Sequence, residues 1–71
     1  MPPRRAEHDD ELERLEAEAR YHRDRADLYR ARMISGSSRP TSPGRMRELE
    51  RTADGAADRL SAVKRARAAA S

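Results

Sequence analysis

With 71 residues, 41% of them charged and 35% hydrophobic, the chain makes at most one small domain carrying a net charge of +3. It has no Cys, which excludes a disulfide framework and a thiolate metal site. Met1-Pro2-Pro3-Arg4-Arg5 is not followed by an apolar run, so neither a signal peptide nor a membrane span is expected, and the chain reads as cytoplasmic.

The first predicted element is a helix over about 5–34. Leu12, Leu15, Ala19, His22, Ala26, Tyr29 and Met33 follow a strict 3-4 spacing that puts every one on a single helical stripe. Pro2 and Pro3 are tolerated only at the first turn of such a helix. Acids crowd its start (Glu7, Asp9, Asp10, Glu11, Glu13), the sign favoured at the positive end of the helix dipole. Ser35-Gly36 offers a left-handed stop, and a loop over 35–42 follows, in which Pro40 pushes Arg39 towards an extended conformation.

Ser42-Pro43 then reads as an N-cap with proline at the first helical position, opening a second helix over about 43–68. The residue three after Ser42 is Arg45, so the reciprocal capping box is absent. Met46, Leu49, Ala53, Ala56, Leu60, Val63 and Arg67 repeat the spacing of the first ladder, with Gly55 a local weakness of roughly 1 kcal/mol relative to Ala.

Equal ladders joined by a short loop predict an all-α fold: residues 1–71 as one antiparallel, coiled-coil-like two-helix hairpin with short flexible termini. Folding the ladders back pairs Met33 with Met46, Tyr29 with Leu49, Ala26 with Ala53, His22 with Ala56, Ala19 with Leu60, Leu15 with Val63, and Leu12 with Arg67. The central alanines either allow close helix approach or leave room for side chains of another chain. With eleven sizeable apolar side chains, a lone hairpin hides little, so pairing of two copies into a four-helix bundle is expected. Tyr21 and Leu28 lie off the stripe, beside Arg25 and Arg32, and are the predicted protein-contact face.

Charge is segregated. Residues 20–51 hold nine arginines against four acids, while the remainder holds nine acids against seven bases. Acids from Glu7 to Glu18 are expected beside Arg59, Lys64, Arg65 and Arg67 of the returning helix, setting its register. At the basic end, Arg23, Arg30, Arg45 and Arg47 are the candidate anion or nucleic-acid contacts, with Arg45 and Arg47 at a helix N-terminus.

Catalysis is not expected, and neither is a cofactor or a metal. His22-Arg23-Asp24 copies three letters of the kinase catalytic loop without its glycine loop or lysine. His8 and His22 stand fourteen residues apart, about 21 Å along a helix, too far to share an ion. Glu18 and His22 are one turn apart but lack the Glu-x-x-His pattern of di-iron bundles. His22 is expected as a half-buried seam residue, with a pH-sensitive position as the sharper alternative. Ser42 is explained by its cap and needs no phosphorylation.

Fifteen arginines against one lysine, with abundant alanine, suggest a GC-rich bacterial source. The expected function is a small, non-enzymatic interaction module, a regulatory or assembly subunit acting through protein–protein contacts as a homodimer. Leu12, Leu15, His22, Tyr29, Met33, Met46, Leu49, Leu60 and Val63 would hold the hairpin together. The alternative is a nucleic-acid-binding regulator using the arginine-rich loop end. The expected architecture is similar to that of plasmid copy-number regulators whose two hairpins form an RNA-binding four-helix bundle, a likeness of architecture alone.

Overall fold

The computed structural model describes the backbone of residues 3–36 and 40–70, with side chains from residue 10 onward in those ranges. Expectations that fall on Pro2, on the side chains of Glu7, His8 and Asp9, and on Ser37, Ser38 and Arg39 lie outside the described residues. Two helices, α1 (Pro3–Ser35) and α2 (Pro43–Ala70), make up the fold, and they pack against each other. As the α1 residue number falls from Arg30 to Arg23, its ion-pair partner on α2 rises from Glu50 to Asp54, so the helices run antiparallel. The hairpin is a single layer, 54 × 22 × 14 Å.

Local chemistry sets each end. Gly36 adopts a positive φ of 71°, the left-handed conformation that ends α1, and the Ser35 hydroxyl donates to the Arg32 carbonyl at 3.3 Å. At α2, the Ser42 Oγ accepts the Arg45 backbone N–H at 3.1 Å while the Ser42 carbonyl accepts the Met46 N–H at 3.1 Å, an N-cap followed by the first helical hydrogen bond. Pro43 occupies the first helical position, where the missing N–H has no consequence.

One expectation changes. Because α1 begins at Pro3, its first turn contains no acid, and Asp10, Glu11 and Glu13 lie beyond the reach of the helix dipole, which fades within the first turn.

The seam follows the ladders but is sealed unevenly. Ala26 is 0% exposed, and Ala53 and Ala56 are 1% exposed each. Between only two helices, a methyl group is shut off from water this completely only where the backbones come close. The central alanines thus serve close approach rather than leaving space for a third chain. On the loop side, Met46 and Leu49 are buried, and Tyr29 and Met33 pack against the cluster they form with Ala26. On the far side Leu12, Leu15, Leu60 and Val63 are all only half-buried, as is His22 in the middle. The expected hairpin core therefore divides at His22, with a sealed half near the loop and an open half near the chain ends.

Gly55 lies within α2, and a Cβ added there would meet only the flexible Arg59 Nη1, at an ordinary contact distance of 3.7 Å. Gly55→Ala is therefore expected to stabilise the fold by about 1 kcal/mol. Ala53→Leu, which forces three extra carbon atoms into the closest part of the seam, is expected to destabilise it by about 1–3 kcal/mol. Thermal unfolding followed by circular dichroism at one fixed protein concentration checks both signs.

Candidate interaction site

The two flanks of the seam differ in kind. On one flank, Arg23 and Arg30 each follow a seam residue, His22 and Tyr29, and both reach across to α2. Arg23 Nη2 lies 2.9 Å from Asp54 Oδ1, and Arg30 Nη2 lies 3.3 Å from Glu50 Oε2, with a longer 3.9 Å contact from Arg30 to Asp27. Every one of these side chains is at least 40% exposed, so each pair contributes at most a few tenths of a kcal/mol. Their effect is on register.

On the other flank, Arg25 and Arg32 each precede a seam residue, Ala26 and Met33. With Leu28 and Tyr29 of α1 and Arg45 and Leu49 of α2 they line a shallow groove of about 290 Å³. Its lining mixes three arginines with Leu28, Tyr29 and Leu49. Arg25 also lies over the Tyr21 ring, 5.7 Å from its centroid, and Tyr21 meets His22 edge-on at 5.2 Å. Tyr21 is 57% and Leu28 62% exposed, consistent with the position expected for an outward face; Ile34, at 80%, is more exposed still.

Part of the expected charge pairing is not found among the described side chains. Among the described side chains, no ion pair joins Glu11, Glu13, Glu16 or Glu18 to Arg59, Lys64 or Arg65. Among the described residues, the pairs Arg23–Asp54 and Arg30–Glu50 cross the hairpin in the half expected to present free arginines. Of the four candidate anion contacts, Arg23 and Arg30 are engaged as above, and Arg45 Nη1 holds Glu48 Oε2 at 3.2 Å, one turn along its own helix. Arg47 is exposed and has no carboxylate partner among the described residues. The structure therefore does not gather these four into one cationic surface.

The N-terminus of α2 is also less open to an anion than its sequence suggests. Ser42 Oγ already takes the Arg45 N–H, Pro43 has none, and the Ser42 N–H donates to the Tyr29 hydroxyl at 2.8 Å. That last contact was not foreseen. A tyrosine at a seam position carries a hydroxyl that reaches the seam's edge, and here it meets the residue that starts the opposite helix. It ties the cap of α2 to α1 across thirteen residues of sequence. The only sequence signal was the coincidence of Tyr29 on the second rung from the loop with a serine N-cap on the returning helix.

Among the described residues, no group of three or more His, Asp or Glu is placed to hold a metal ion, and no helix is long and apolar enough to cross a membrane. No family model matches the chain, and no curated protein and no solved structure shows significant similarity to it.

The Tyr29–Ser42 contact is separable from the packing of the ring. Tyr29→Phe keeps the ring against Met46 and Leu49 and removes only the acceptor, so it is expected to cost about 0.5–1 kcal/mol. Ser42→Ala, which removes the cap acceptor, is expected to cost about 1 kcal/mol. Chemical denaturation of the two single variants and the double variant measures both, and coupling between them is expected because both act on the start of α2.

Proposed function

We propose that this chain is a non-enzymatic interaction module, a helical hairpin that forms a homodimer and serves as a regulatory or assembly subunit. The observation that carries the reading is the pair Tyr21 and Leu28, large side chains left 57% and 62% exposed on a hairpin whose own seam buries only five residues among those described. A single layer of two helices shields one stripe of each helix and leaves the rest in water. A second hairpin laid against the Tyr21–Leu28 face would bury that surface and complete a four-helix arrangement.

The groove beside that face supports a protein partner over a nucleic acid. Leu28, Tyr29 and Leu49 contribute apolar lining that aliphatic side chains can use, whereas a phosphate backbone needs a row of free cations. Three of the four arginines first considered for that task are already held by carboxylates.

Sedimentation of the purified protein across a concentration series tests this reading, with circular dichroism at each concentration. A species of twice the 8.1 kDa chain mass is expected, with helicity rising as the dimer forms. Tyr21→Asp combined with Leu28→Asp is expected to shift the protein to the monomer mass. A wild-type chain that stays monomeric and fully helical throughout would overturn the homodimer.

A further inference from the structure

Four of the charges of α1 that have no ion pair among the described residues form a pattern. Glu11, Glu18, Arg25 and Arg32 recur every seven residues, so they lie along one row of the helix. Each precedes a seam residue (Leu12, Ala19, Ala26, Met33), which places the row on the flank opposite Arg23 and Arg30. The Arg23–Asp54 and Arg30–Glu50 pairs cross that opposite flank, whereas none of these four charges takes part in an ion pair among the described residues. Two grooves open beside the row. One is lined by Arg25, Arg32 and Leu28, and the other lies at the far end, lined by Glu11, Val63, Ala66, Arg67 and Ala70.

Along the row the signs run acid, acid, base, base. A row of that kind is complementary to its own reverse: turned end for end, it sets Glu11 opposite Arg32 and Glu18 opposite Arg25, twice over. We propose that a second copy of the chain lays the acidic stretch of its α1, Glu11 to Glu18, into the groove rimmed by Arg25, Arg32 and Arg45, the two α1 helices running antiparallel about a two-fold axis at Tyr21 and His22. The inference rests on the homodimer reading and adds to it the helix, the direction and the register.

The geometry satisfies several groups together. Opposed residues have numbers that sum to about 43, so the acidic half of each row lies along the basic half of the other. Tyr21 lies on the axis and meets its own counterpart, with its cation–π partner Arg25 next to it. Arg32, which has no ion pair among the described residues, gains a carboxylate in Glu11 of the second copy, beside Arg45 and its own partner Glu48. A parallel arrangement would instead set acid on acid and base on base, a juxtaposition that costs association strongly. The paired stretch from residue 11 to residue 32 is about 33 Å long.

Charge reversal in trans tests it. One variant carries Glu11→Arg and Glu18→Arg, leaving its row wholly basic. The other carries Arg25→Glu and Arg32→Glu, leaving its row wholly acidic. Each alone is expected to lose the homodimer, with the dissociation constant raised about tenfold or more, whereas an equimolar mixture is expected to form a one-to-one heterodimer. Native mass spectrometry of the mixture distinguishes the species, because the two chains differ in mass.

If the wild type dimerises but both variants still form homodimers as tightly, the register is overturned and the homodimer stands. A wild type that is monomeric overturns both. A second measurement covers variants that fold poorly, and it exploits the absence of native cysteine. Tyr21→Cys, on the axis, is expected to form an intermolecular disulfide under mild oxidation, and Leu28→Cys, about 20 Å from its counterpart, is not. Equal crosslinking at both positions would indicate a parallel pair and refute the proposal.

Discussion

Two helices touching along one line leave most of each circumference in water, and the rest of this structure follows from how little that line can hide. Three alanines set its depth. With Ala26, Ala53 and Ala56 at 0–1% exposure, the backbones meet closely at the middle of the hairpin, and larger side chains gather only where the line reaches the loop. Met46 and Leu49 are buried there, supported by Tyr29 and Met33. Away from the loop the same ladder continues, but Leu12, Leu15, Leu60 and Val63 stay half-exposed. The stability of the hairpin is thus concentrated at one end, and its apolar surface remains available at the other.

The concentration at the loop end is reinforced by polar contacts of different worth. The exposed ion pairs Arg23–Asp54 and Arg30–Glu50 fix which residues oppose one another but contribute little energy. The hydrogen bond from the Ser42 N–H to the Tyr29 hydroxyl acts on a backbone group that would otherwise have to find water at the start of α2. It couples the end of the seam to the beginning of the second helix. The same ring that packs against Met46 and Leu49 therefore also positions the cap.

The asymmetry between the flanks is the feature with functional weight. One flank is closed by ion pairs across the hairpin, and on the other Glu11, Glu18, Arg25 and Arg32 have no ion pair among the described residues, beside exposed Tyr21 and Leu28. An interaction module needs one face stable enough to hold its shape and another left incomplete. Arg25 and Arg32 belong to the incomplete face, although the arginines most conspicuous in the sequence were Arg23, Arg30, Arg45 and Arg47. Three of those four turn out to hold the hairpin or its second helix together.

Much of this was legible in the residues alone. The 3-4 spacing of the ladders determined two helices and the stripe each one buries, because side-chain direction along a helix repeats with a fixed period. Gly36 and Ser42-Pro43 determined where α1 stops and α2 starts, because only certain residues satisfy the backbone at a helix end. Which charges pair was decided by the tertiary structure. A guanidinium on a four-bond stem reaches any carboxylate within several ångströms, so sequence spacing leaves many partners open, and the packing angle selects among them. The unequal sealing of the two halves and the Tyr29–Ser42 hydrogen bond were likewise decided there, since both depend on the separation of two helices that no local residue pattern encodes.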